Sequence, residues 1–241
     1  MSLGIVIPCY NESSRLVYSV FENFLKKTQK ISLCFVNDGS TDKTAFLLKK
    51  FHQKQPDLIH VINLEQNKGK ANAVTKGMIF FFRQKKYKRI AFLDADLSTS
   101  LEECYELSNK INLKTKFVFA SRVKKLDNEI KRHWYRFIMG RILATFISRM
   151  LNLSIYDTQC GCKVFKEELI PVVFCNPFLS EWLFDVEVFY RLKNYYGTKQ
   201  VIAFSKENPL KSWVDMGDSK IKLSYAFWVW IDLIKIYKFY K

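Results

Sequence analysis

The chain has 241 residues, 49% of them apolar and 16% aromatic, with a formal net charge of +16. That composition excludes a disordered chain and supplies core for one globular α/β domain. The charge asks for an anionic partner, and with no helix-turn-helix, zinc-finger or RNP1-like string in view, a membrane surface or phosphate-bearing substrates are expected rather than nucleic acid. Cys9, Cys34, Cys104, Cys160, Cys162 and Cys175 form no CxxC pair and have only three histidines for company. They read as small buried hydrophobes in a reducing, cytoplasmic compartment, because no basic leader or cleavable small-residue stretch precedes the apolar run from Leu3.

In chain order, apolar runs at Leu3 to Pro8, Ile31 to Asn37, Ile59 to Leu64, Ile90 to Asp94 and Phe117 to Ala120 have strand length. Between them Ser13 to Lys27, Asp42 to Lys54, Gly69 to Lys85 and Leu101 to Lys110 carry helical patterns. The alternation predicts βαβ units, a mainly parallel sheet and helices on both faces. Polar clusters (PCYNES, DGSTD, DADLSTS) follow three of these strands, and in open α/β sheets the carboxyl ends of strands are where ligands sit.

The second half changes character. A helix is expected from Glu129 to Leu153 and another from Tyr225 to Lys241, each mixing aromatic and aliphatic residues with Lys and Arg. Neither contains the roughly 20 uncharged apolar residues of a membrane span. They read either as helices packed on the domain or as interfacial helices, apolar side in lipid and basic side on headgroups, which would make the protein peripheral at an anionic membrane.

Asp94-Ala95-Asp96 ends the fourth strand. If strand geometry persists, carboxylates two apart point to one side and could share a hard divalent cation, Mg²⁺ or Mn²⁺. Alone, such a tripeptide is equally a solvated loop near a helix start. Its company is more specific: Ile5-Val-Ile-Pro-Cys-Tyr-Asn-Glu12, Val36-Asn-Asp-Gly-Ser-Thr-Asp42 and Asn67-Lys-Gly-Lys-Ala-Asn72 precede it in that order. The series resembles family 2 glycosyltransferases, whose GT-A fold is a Rossmann-like α/β domain. The resemblance implies a nucleoside pocket from Pro8, Tyr10, Glu12 and Asp38, with Lys70 beside the diphosphate and Asp94 and Asp96 on nucleotide and metal.

In the second half Asp157-Thr-Gln-Cys-Gly-Cys-Lys163, Glu181-Trp-Leu-Phe-Asp-Val-Glu187 and Trp213-Val-Asp-Met-Gly-Asp-Ser-Lys220 are similar to strings of the dolichyl-phosphate β-glucosyltransferases and their bacterial polyprenyl-phosphate relatives. Cys162, Glu181 and Asp218 depart from that pattern. The resemblance implies inverting, metal-dependent transfer of a hexose, glucose from UDP-glucose, to a polyprenyl phosphate. The chain then divides at 122 into a nucleotide-sugar half and an acceptor half. GDP-mannose, UDP-N-acetylglucosamine or a hydroxyl acceptor are alternatives, as is a non-catalytic basic module.

A phosphate monoester acceptor is already mostly dianionic near neutral pH, so the site must supply cations rather than a strong base. Arg122, Lys131, Arg132 and Arg136 are the candidates for holding it, although the last three equally suit lipid headgroups. Asp157 would be the general base for a hydroxyl acceptor, or would orient sugar hydroxyls or the basic cluster for a phosphate acceptor. Trp182, Asp185 and Glu187 either flank the sugar or form an ordinary helix start.

Overall fold

The computed structural model describes residues 2–131, 134–214 and 225–241, and the side chains of these except 131, 134–136 and 225–227. β1 (Leu3–Cys9) and β2 (Ile31–Asp38) are buried along nearly their whole length, the environment that their unbroken apolar runs require. β3 (Ile59–Leu64), β4 (Arg89–Leu93) and β5 (Phe117–Ser121) follow, with α1 (Tyr18–Lys27), α2 (Thr44–Lys54), α3 (Lys70–Arg83) and α4 (Leu101–Ser108) as the connections. The second half adds β6 (Glu129–Lys131), α5 (Trp134–Leu151), β7 (Cys162–Lys166), α6 (Ile170–Phe174), α7 (Phe184–Tyr196), α8 (Thr198–Phe204), β8 (Ser205–Pro209), β9 (Ser212–Val214) and α9 (Tyr225–Tyr240).

The main sheet has seven strands in the order β3-β2-β1-β4-β7-β5-β8. Its first four strands are parallel, as the alternation predicts. β7 enters between β4 and β5 antiparallel to both, so the second half of the chain completes the sheet begun by the first. Side chains alternate between two cores: Val6, Phe92 and Phe165 face α3, α6, α7, α5 and α9, while Ile5, Ile7 and Leu93 face α1, α2 and α4.

Three expectations are corrected. α1 starts at Tyr18 rather than Ser13, because the amides of Glu12 and Ser13 bond to Thr44 and Asp42 of the neighbouring loop and a separate turn closes from Arg15 N–H to Glu12 C=O. The long basic stretch does not begin as helix, since Glu129–Lys131 pairs in parallel with Ser212–Val214. Strand geometry also stops at Leu93, and a turn with Leu97 at φ 51° carries Asp94 and Asp96 out of the sheet.

Both basic helices pack on the domain and also expose apolar surface. Ile147 and Leu151 of α5, with Leu233 and Ile236 of α9, are buried at helical spacing. Phe137, Ile138, Met139, Ile142 and Phe146 of α5, with Trp228, Ile234 and Phe239 of α9, remain exposed. The two helices meet where the Phe146 and Trp230 rings sit edge-on with centroids 5.1 Å apart. Among the described residues no helix is long and apolar enough to cross a membrane.

Candidate active site

The loops leaving β1 and β2 are laced together. Asn11, at φ 50°, donates its N–H to Ser40 Oγ and accepts from Thr41 N–H, and Glu12 N–H donates to Thr44 Oγ1. Pro8 and Tyr10 lie half-buried along this edge. The Glu12 carboxylate is buried and pairs with Arg15 Nε at 3.0 Å, so part of its hydrogen-bonding capacity is already used within its own loop. Asp38 is buried at the end of β2, and its Oδ1 accepts from the N–H of Lys68 at 3.0 Å. Burial pushes the Asp38 carboxyl up, while the N–H groups of Lys68 and Gly69 pull it back.

Those two amides belong to the turn that starts α3. Gly69 holds φ 85°, and a Cβ there would stand 2.7 Å from the Glu181 side chain. The next residue is Lys70, whose ammonium lies 2.6 Å from Asp94 Oδ1. Burial opposes that charge, but Asp94, Asp185 and Asp96 outweigh it and Lys70 is held firmly protonated. Asp94 is anchored from behind: its N–H donates to Gly161 C=O, and a Cβ on Gly161 would come within 1.9 Å of Asp94 Oδ2. Asp96 Oδ1 caps the turn by accepting from Ser98 N–H at 2.9 Å. Both carboxylates therefore stay beside Lys70, through a turn rather than strand alternation.

On the other side of Asp94 stands Arg122, just beyond β5. Its Nε and Nη2 donate to the two oxygens of Asp157 at 2.7 and 2.9 Å, and its N–H bonds the same carboxylate. Burial works against ionised Asp157, yet Arg122 outweighs it and holds the carboxyl well below the usual range, just as Arg122 itself is raised. Below this pair, Glu207 of β8 accepts from the N–H groups of Tyr156 and Asp157. Arg141 of α5 donates to Tyr156 C=O and lies over the Tyr156 ring with Cζ 3.6 Å from its centroid. The basic helix is thus tied to the Asp157 loop.

A third pair escaped sequence reasoning. Lys163, in the middle of β7 and fully buried, places Nζ 2.6 Å from Asp185 and 2.8 Å from Cys160 C=O. The signal was present, since a lysine flanked by apolar strand residues can be buried only with a partner. Asp185 feels both Lys163 and Lys70, so the pair forms the floor of the same site. Glu187 plays a different part: it is buried and accepts from the N–H groups of Leu179 and Ser180 and from Tyr240 O–H. Five cysteines are buried and all six are free, with burial pushing the Cys160 thiol up to about 12. The side chain of Lys131, the whole of Arg132, the Arg136 side chain and residues 215–220 of the third second-half string lie outside the described residues.

An α/β sheet whose switch edge gathers Asp38, Lys70, Asp94, Asp96 and Arg122 beside a glycine turn defines a GT-A enzyme. Residues 4–174 match the model of the family described as glycosyl transferase family 2, and the chain belongs to that family. It is a glycosyltransferase. A dolichyl-phosphate beta-glucosyltransferase of Homo sapiens is 30% identical over 95% of this chain and 77% of its own length. The enzyme of that description from Dictyostelium discoideum is 28% identical over 97% and 77%. Among solved structures, glucosyl-3-phosphoglycerate synthase from Mycobacterium tuberculosis, in complex with Mn²⁺, UDP-glucose and phosphoglyceric acid, superposes with a TM-score of 0.70 at 15% identity, covering 98% of this chain and 80% of that one. At that identity the likeness concerns the fold alone.

Proposed function

We propose that this enzyme transfers glucose from UDP-glucose to a polyprenyl phosphate of the dolichyl type, inverting the anomeric carbon to give a β-linked lipid phosphate sugar. The observation that carries the reading is the Arg122–Asp157 pair. A carboxylate held ionised by two guanidinium bonds and a backbone N–H is a poor proton acceptor, which suits an acceptor that arrives already ionised. The similarity to dolichyl-phosphate beta-glucosyltransferases over nearly the whole chain supports the same acceptor and sugar.

Asp38 and the loop carrying Pro8, Tyr10 and Glu12 would take the nucleoside, and the Gly69–Lys70 turn the diphosphate, with its ammonium and the first N–H groups of α3. Asp94 and Asp96 fit a divalent cation: both are hard oxygen donors, half-buried at one turn, and among the described residues no third His, Cys, Asp or Glu joins them as a closed cage. Coordination would be completed by diphosphate oxygens and water. When bound, Mg²⁺ or Mn²⁺ would neutralise charge growing on the leaving UDP. Arg122 would hold the acceptor phosphate, one of whose oxygens attacks C1 as the C1–O bond to UDP breaks and UDP leaves with the electron pair. Asp157 keeps Arg122 in place; Lys131, Arg132 and Arg136 would add cations on the acceptor side.

The exposed apolar residues of α5 and α9, interleaved with Arg149, Lys235 and Lys238, would lie on the anionic cytoplasmic face of a membrane where the lipid acceptor resides. Free cysteines accord with that compartment.

The test is to incubate the purified protein with radiolabelled nucleotide sugars, polyprenyl phosphate in vesicles and Mg²⁺ or Mn²⁺. Label from UDP-glucose should enter the lipid phase. Lipid labelling only from another donor would correct the sugar; water-soluble products alone would overturn the acceptor.

A further inference from the structure

The chain from 178 to 183 meets the Gly69 turn at Glu181, whose side chain occupies the space a Cβ on Gly69 would need. Four bonds shape this segment. The Glu187 carboxylate accepts from Leu179 and Ser180 N–H, Ser180 Oγ accepts from Leu183 N–H, and the same hydroxyl donates to Asp232 Oδ2 at 3.0 Å. Asp232 lies on α9, and so does Tyr240, whose O–H donates to Glu187 at 2.9 Å while accepting from Arg191 Nε. A helix remote in sequence from the donor edge therefore grips, at two points eight residues apart, the segment lying on the diphosphate turn.

We propose that Asp232 and Tyr240 are positioning residues for the nucleotide diphosphate: through Ser180 and Glu187, α9 fixes the 178–183 segment over Gly69–Lys70, so that donor affinity depends on a helix that touches no donor. The inference rests on the donor site described under Proposed function. Neither residue belongs to that site, and both act on a stretch of backbone. Their loss shows as a looser segment and a weaker donor complex, with turnover of bound donor largely kept. Because α9 also exposes Trp228, Ile234 and Phe239, the surface offered to lipid and the grip on the donor segment are parts of one helix.

The test compares the full chain with Asp232→Ala, Asp232→Asn and Tyr240→Phe. Asn keeps an oxygen for the Ser180 hydroxyl and serves as the conservative rescue. Two readouts are taken: hydrogen exchange of the amides at 179, 180 and 183, and affinity for UDP with Mn²⁺ by calorimetry, followed by KM and kcat with UDP-glucose. Asp232→Ala should speed exchange in this segment and weaken UDP and raise KM by about five-fold, the effect of one lost hydrogen bond, with kcat within about two-fold. Asp232→Asn should sit near the parent and Tyr240→Phe between. If Asp232→Ala speeds exchange throughout β1 and β4, it has unfolded the domain, and Tyr240→Phe, the milder change, decides. Faster exchange with unchanged UDP affinity, or unchanged exchange, overturns the proposal. A parent protein that binds no UDP overturns the donor reading instead, while the exchange data still judge whether α9 holds the segment.

Discussion

Two cation–carboxylate pairs flank the same turn and differ in how they are held. Lys70 meets Asp94 at one point, with the side chains 21% and 34% exposed. Arg122 meets Asp157 at two points plus a backbone N–H, at 15% and 10%. A single, partly exposed contact is more easily exchanged, so under the proposed function a metal would take Asp94 and a diphosphate Lys70 without loss of fold. A bidentate, largely desolvated pair is a fixture, and parting it strands a charge. In the proposed reaction the donor side would be built from exchangeable parts and the acceptor side from a fixed cation, with Lys163–Asp185 fully sealed beneath both.

The sharpest way to break this contrast is at the sealed floor. Lys163→Ala leaves Asp185 buried without the cation it touches and should cost about 3–5 kcal/mol of unfolding free energy by urea denaturation; a loss under about 1 kcal/mol would show that the site relaxes around it. Asp94→Asn should leave the thermal midpoint nearly unchanged while lowering metal-dependent transfer about 100-fold, or about 2.7 kcal/mol. A matching loss of stability would mean that the open pair is structural. Gly161→Ala must push the Asp94 carboxylate from its seat, and about a ten-fold drop in turnover, partly recovered by excess Mn²⁺, is expected. The smallest effect is a flat one. The folded Asp157 carboxyl ionises below its unfolded value, so its contribution to stability is complete above about pH 4 and is lost only on further acidification. The rate profile between pH 5 and 8 should therefore follow the acceptor phosphate, falling below about pH 6, with no limb from Asp157. An essential base near pH 7 that disappears in Asp157→Asn would restore the hydroxyl acceptor.

Much of the proposed donor edge was legible because it is local. An apolar run followed by Asn-Asp-Gly-Ser or Asn-Lys-Gly-Lys specifies a strand, a turn and a helix start from neighbouring residues alone, and β1 to β5 stand within a residue or two of their expected limits. β7 was missed because CKVFK carries two lysines in five residues, and only pairing with β4, β5 and Asp185 makes that sequence a buried strand. β6 was read as helix for a similar reason: three residues hold no period, and their partner strand lies 83 residues further along. For Glu187 the sequence left a sugar-flanking position and an ordinary helix start both open, and only the fold brought Tyr240 to it.

By itself the sequence determined the family, the sheet edge that carries chemistry and the residue types available there, because motif spacing and hydrophobic period are properties of the chain. Only the tertiary structure decided which charges meet: that Asp94 takes Lys70, that Asp157 is committed to Arg122, and that Lys163 is sealed under both. Those choices depend on burial and on separations of a few ångströms between segments 22 to 35 residues apart, where the cost of an unpaired charge selects the partner.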